Sequence, residues 1–222
     1  MLFALGEPVA FAALVVSFLL GLVLRAVAVR VTARTLGLAD RRESLTPRLR
    51  EDIDPFGAVA AAIGGMGWGK QLSVDEIPRH RGRGRAAAVF LAGPLTCIIL
   101  AEILLGVYAA VYSSDDLAFL SPADVLLGIR GQIGPQVLLS IAVGLLSFGL
   151  LALIPIPPLD GFGVLYNAVR RPGPGIQWMR LWFEEKNLGV VILLVLCLFP
   201  LPGSFLMSIL DALGLLFVRL WG

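Results

Sequence analysis

Long apolar runs, not alternation, dominate the chain. A membrane-crossing helix needs about 20 mainly apolar residues, within a range of about 17–25. Four stretches meet that length. The first is residues 8–24, continuing as helix through a basic stretch to Leu36; the others are residues 86–112, 133–155 and 188–217. The fourth is interrupted by Pro200-Leu201-Pro202-Gly203, which no continuous helix accommodates easily. It reads as two halves, 188–199 and 204–218, folded as a hairpin or a re-entrant pair. Between the first two runs lies the apolar segment 54–69, with five glycines. It suits a short helix, a re-entrant loop or a β element within residues 54–75. Non-helical backbone at membrane depth must be buried in protein or line a cavity. The pattern predicts an all-α integral membrane protein of about four to six transmembrane helices, with residues 1–222 forming one membrane domain.

Composition agrees. Hydrophobic residues make up 58% of the chain and charged residues 15%, against roughly 45–50% and about 25% in soluble domains. The mean hydropathy is +0.88. These values exclude a disordered chain, a basic nucleic-acid binder and an ordinary soluble enzyme. The opening residues carry no basic n-region, and the 8–24 run exceeds the usual signal-peptide core of about 7–15 residues, so it reads as a retained anchor. Cys97 and Cys197 lie inside apolar runs, where a disulfide is not expected.

Charge assigns an orientation. The cations are 16 Arg and two Lys, a bias that suggests a GC-rich bacterial genome and hence a bacterial inner membrane. Seven arginines fall in 25–52, five basic residues in 70–85 and four in 170–186. The 113–131 loop instead holds Asp115, Asp116 and Asp124 against Arg130. By the positive-inside rule the three basic loops are cytoplasmic, the acidic loop and the N-terminus outside. Arg219 is inside if the last region crosses twice. Trp178, Trp182 and Trp221 read as interfacial anchors near cytoplasmic ends, with membrane lipids as their partners. Gly64, Gly65, Gly67 and Gly144 permit close helix approach.

Three residues suggest chemistry. Pro155, Pro157 and Pro158 end the third run, and Asp160-Gly161 follows at once. A carboxylate at that depth is costly unless paired or bound to a metal, although Asp160 could also be an exit cap. Glu102 lies within the second run, where it could bond across helices or accept a basic residue from a partner subunit. A proton relay would need a second intramembrane acid, and Asp211 is the nearest.

The segment IPIPPLDG, residues 154–161, resembles the signature of the site-2 protease family, the intramembrane zinc metalloproteases. Asp52-Ile53-Asp54-Pro55-Phe56-Gly57 resembles the family's HIDPxG, Gly67-Trp68-Gly69-Lys70 its GWAKP, and Ala92-Gly93-Pro94-Leu95-Thr96 its AGPxxN. The resemblance covers roughly residues 10–170 and implies a site-2-protease-like core over 1–170. Residues 171–222 form a C-terminal amphipathic and membrane-hairpin segment.

The resemblance also implies an HExxH at the end of the first span, whose histidines would bind zinc and whose glutamate would activate water. Arg25, Ala26 and Val29 stand at the first histidine, glutamate and second histidine positions. Asp52 replaces the HIDP histidine, Cys97 the AGPxxN asparagine, and Ala152 an asparagine often found before the prolines. The chain's one histidine, His80, lies in the Arg-rich run Arg79–Arg83. No zinc and no other cofactor are expected, and Asp160 becomes a vestigial ligand position. Either Arg25 pairs with Asp160 in place of the metal, or it snorkels to the headgroups. Arg25, Asp160, Glu102, Asp54, Pro157 and Pro158 are the structural or partner candidates. The expected function is an inactive protease relative acting as scaffold or accessory subunit for another membrane protein. The alternatives are a metalloprotease with a non-standard site, or a small transporter or channel subunit using Glu102.

Overall fold

The computed structural model describes residues 2–39, 44–47, 52–70, 72–112, 114–199 and 204–222. Three helices are long and apolar enough to cross a membrane: α1, Pro8–Thr35; α3, Arg83–Val111; and α6, Ile133–Ala152. The shorter helices are α2, Pro55–Gly64; α4, Asp115–Phe119; α5, Pro122–Gly128; α7, Asp160–Ala168; α8, Pro174–Met179; α9, Leu188–Leu198; and α10, Phe205–Val218. Among the described residues the sole β feature is one antiparallel bridge, Ile53 to Gly69. The chain is an all-α membrane protein.

Contacts between the long helices give their directions. Gly93 lies beside Arg25, Gly21 beside Phe148, and Gly149 beside Pro94 and Ile98. Gly134 lies beside Tyr112, and Ser17 Oγ donates to the Ile141 carbonyl at 3.2 Å. Thus α1 and α6 run parallel and α3 runs against both. One end of the bundle gathers the last turns of α1 with Arg30 and Arg34, the basic 79–85 segment at the start of α3, and Arg170 and Arg171 after α6; the other gathers the N-terminus and the acidic 114–131 connection. They are the basic end and the acidic end of the bundle. The α6 helix is the inner one, buried on most of its circumference, whereas α1 and α3 each keep an outward apolar side. That side of α3 carries Ile99, Ile103 and Val107, at the four-residue spacing of one helix face.

The 54–69 segment enters and leaves at the basic end. Lys70 N donates to the Asp52 carbonyl at 2.8 Å beside the Ile53–Gly69 bridge, so both limbs meet there. The descending limb is α2. Its turn holds Gly65 at φ +78°, a left-handed helix end that favours glycine. The returning limb, Met66 to Trp68, is buried against the bundle. The glycines and alanines let this non-helical backbone sit in protein and not in lipid. Asp54 starts the device as the N-cap of α2, accepting from Phe56 N at 2.8 Å and Gly57 N at 2.9 Å.

Several expected boundaries change. The third span ends at Ala152, not residue 155, because Pro155 disfavours helical backbone just before it. The second starts at Arg83, three residues early. The fourth region becomes α9 and α10, of 11 and 14 residues. At about 1.5 Å per residue they reach only about 16 and 21 Å, short of the roughly 30 Å hydrocarbon core. The Pro200–Gly203 break lies outside the described residues. The α9 helix leaves the basic end, with Gly189 against Pro157, and reaches Gly64 at Cys197. The α10 helix does not return. Asp211 accepts from Ser121 Oγ at 2.6 Å and Ala123 N at 2.9 Å, Gly214 packs on Pro122, and Gly222 lies against Leu117 and Ala118. Arg219 and Trp221 therefore belong to the acidic half, not with Trp178 and Trp182 at the basic end.

If Asp54 serves α2 as a cap, Asp54→Ala will lower stability by about 1 kcal/mol, while Asp54→Asn will stay near the parent. Thermal unfolding of both variants in the same detergent checks this; equal losses would assign Asp54 a role other than capping.

Candidate functional site

The positions that carried the protease resemblance converge at the basic end. Arg25 extends from α1, and Asp160 opens α7 after the proline run. Arg25 Nε donates to Asp160 Oδ2 at 2.5 Å and its second terminal nitrogen to Asp160 Oδ1 at 2.6 Å. The remaining terminal nitrogen donates to the Lys70 carbonyl at 2.9 Å. One guanidinium thus joins α1, α7 and the returning limb of the re-entrant segment. The Asp160 side chain is 1% exposed and that of Arg25 12%, so Arg25 covers the carboxylate. Two parallel bonds between planar groups are the strong form of this contact, and Asp160 gains further from its place in the first turn of α7.

Two glycines make room. A methyl group at Gly93 would come within 2.6 Å of Arg25 Cγ, and one at Gly161 within 2.0 Å of the Leu153 carbonyl oxygen. Gly93 lets the Arg25 stem pass between α1 and α3. Gly161 lets α7 fold back on the turn that Pro155, Pro157 and Pro158 create; the Pro157–Pro158 peptide is cis. The prolines stop α6 and reverse the chain, and the glycine closes the reversal tightly enough to aim Asp160 at α1.

Beside the pair lies a cleft of about 390 Å³, lined by Arg25, Ala26, Val29, Arg30, Asp52 and Lys70 among others. Leu72, Glu76 and Ile77 also line it. Arg30 donates to Asp52 Oδ1 at 2.5 Å, a second cross-link of α1 to the start of the re-entrant segment. The three HExxH-equivalent positions therefore face a cleft, but they bring a cation and two alkyl side chains. The Asp160 oxygens are both engaged by Arg25. Among the described residues no three of His, Cys, Asp and Glu lie together, and His80 is exposed in the Arg79–Arg81 turn. This donor set does not fit a zinc ion, which takes three neutral or anionic protein ligands.

The remaining candidates lie apart. Cys97 is buried, its thiol 3.7 Å from the Gly21 carbonyl. Glu102 accepts from the Trp221 indole at 3.0 Å, far along α3 toward the acidic end, while Asp211 is engaged with the start of α5. The structure does not bring these two acids together. Sequence reasoning missed Trp221 as the Glu102 partner, Asp211 as the α5 cap and Arg30–Asp52 as a link. Only the last had a local signal, two opposite charges flanking one basic-end loop.

Comparison with known proteins fits the motif resemblance. Over 177 residues the chain is 28% identical to a Bacillus subtilis (strain 168) protein named "Putative zinc metalloprotease YwhC", covering 78% of this chain and 74% of that protein. No family model matches, and no solved structure does.

Breaking one side of a buried ion pair strands the other charge at a cost of about 3–5 kcal/mol. Asp160→Asn should lose stability on that scale, and Arg25→Leu added to it should restore part of the loss. A double-mutant cycle by reversible unfolding in bicelles measures this; strictly additive losses would mean the two side chains are not coupled.

Proposed function

We propose that the chain is a catalytically inactive relative of the intramembrane zinc metalloproteases that works by binding another membrane protein, as a scaffold or accessory subunit. The observation that carries this reading is the bidentate Arg25–Asp160 pair at positions where the resemblance implies metal ligands. Arg25 stays protonated at any relevant pH, so its charge opposes a dication there. It also occupies both oxygens of Asp160. Ala26 has no group to take a proton from water. The chemistry of peptide hydrolysis is therefore missing at each of its two requirements, the Lewis acid and the base.

What the fold retains suits binding. The motif segments keep the re-entrant limb, the proline turn and the cleft in a protease-like order, with an arginine in the place of the metal. The outward sides of α1 and α3 offer long apolar surfaces at membrane depth, as a partner's transmembrane segment requires. The arginine distribution supports a multi-pass protein of the cell membrane with the N-terminus outside and the basic end in the cytoplasm.

Purified from its native membrane in mild detergent, the protein should carry well under one zinc per chain by mass spectrometry of the metal. It should elute with a second membrane protein in constant ratio. Stoichiometric zinc with cleavage of a membrane substrate would instead make it an active protease with a non-standard site. Solute flux in liposomes that disappears in Glu102→Gln would make it a transport subunit.

A further inference from the structure

Residues 174–185 form one helical arm at the basic end, α8 followed by the π-helical turn Arg180–Glu185. One side of the arm is apolar and open: Trp178 is 55% exposed, Leu181 44% and Trp182 42%. The two indoles lie 6.3 Å apart, and Trp178 is 5.8 Å from the Phe183 ring, so they form one aromatic ledge. Exposed cations flank it, Arg170 and Arg171 before the arm and Lys186 after it.

The polar side grips a different part of the chain. Glu184 Oε1 accepts from Ser73 Oγ at 2.6 Å and from Val74 N at 3.1 Å. Arg180, four residues earlier, pairs with Asp75. Just before the arm, Arg79 donates to the carbonyls of Val169 and Arg170 and lies 5.0 Å over the Tyr166 ring. Although burial works against the Arg180 charge, the Tyr166 hydroxyl and Asp75 outweigh it and hold its pKa above the ordinary value. The gripped residues 73–75 lie between Leu72 and the Glu76–Ile77 pair, which line the cleft. Ile77 also packs with Ala33 and Phe90, so the wall is pinned to the bundle at one end and to the arm at the other.

We propose that residues 174–185 are a bilayer-surface arm, seated at the boundary of headgroups and acyl chains, and that their hold on residues 73–75 sets how far the cleft beside Arg25 opens. The partner this surface fits is an anionic lipid bilayer. Tryptophans beside a span end, flanked by arginines and a lysine, are the side chains that boundary favours. The arm is also linked, through Gly189, to the turn that presents Asp160. Gly189, just after the arm, lies so close to the Pro157 and Phe183 carbonyls that a methyl group there would come within 2.1 and 2.9 Å of their oxygens. Movement of the arm away from the bilayer would pull on the cleft wall from one side and on the proline turn from the other. This coupling does not depend on whether the site is active, because it concerns access alone.

A cysteine at Ala26, a small and buried cleft residue, reports that access. In nanodiscs containing phosphatidylglycerol, Ala26→Cys should react slowly with a soluble maleimide. Adding Arg180→Ala and Glu184→Ala should raise the rate about tenfold, the factor that loss of ~1.4 kcal/mol produces. Trp178→Ala with Trp182→Ala should raise it comparably. The emission lost with those two tryptophans should be quenched by brominated lipid and not by aqueous iodide. The same variants without the Ala26 cysteine, whose Cys97 and Cys197 are buried, must stay unlabelled; this shows that they are folded. Unchanged Ala26→Cys labelling in folded grip variants would overturn the coupling. Iodide quenching, or a tryptophan variant that labels like the parent, would overturn the bilayer as partner.

Discussion

Two charges held together out of water organise the basic end. Placing a carboxylate at the end of a membrane span is costly, and Arg25 offsets that cost only because the two planar groups meet face to face along both oxygens. Everything near them serves that alignment. The prolines stop α6 and turn the chain, Gly161 closes the turn, and Gly93 gives the arginine stem its passage. The third bond from Arg25, to the Lys70 carbonyl, draws in the re-entrant limb. A cleft then remains where α1, the limb and the 72–77 wall fail to fill the space between them.

If the chain is an inactive relative of the metalloproteases, as proposed, the pair also explains how such an arrangement can stand with a cation where the resemblance implies a metal ligand. A bound ion ties separate segments by sharing its charge among several donors. A guanidinium has the opposite polarity of bonding: it donates to acceptors, here a carboxylate and a backbone carbonyl. Such an exchange holds segments in place while removing what hydrolysis needs, because the positive charge is fixed and has no open coordination position for water.

Much of the fold was legible because membrane helices advertise themselves by length and hydropathy. The three long spans emerge from the apolar runs almost at their observed limits. The 54–69 segment was readable as a short helix or a re-entrant element from its glycines and its inadequate length. The Arg25–Asp160 partnership was readable as one of two options, since an arginine at a span end can equally reach for headgroups. What failed was the C-terminal quarter. Both halves of 188–218 are as apolar as a span, yet each is too short to be one. Trp221 looked like its neighbours in kind, Trp178 and Trp182, but α10 carries it to Glu102 at the other half of the bundle.

The chain's pattern alone determined that this is an α-helical membrane protein with long apolar runs of spanning length, a basic and an acidic end, and a single histidine. Those properties depend on local composition and on counts of residue types, which need no partner in space. Tertiary structure alone decided which residue each polar side chain meets. It chose Asp160 over the headgroups for Arg25, assigned Asp52 to Arg30, Asp211 to the start of α5 and Trp221 to Glu102, and joined the Trp-bearing arm to the cleft wall. The reason is physical: in a low-dielectric interior a polar group takes whatever partner the packing of distant segments delivers within hydrogen-bond reach, and segment packing is not written in any one stretch of sequence.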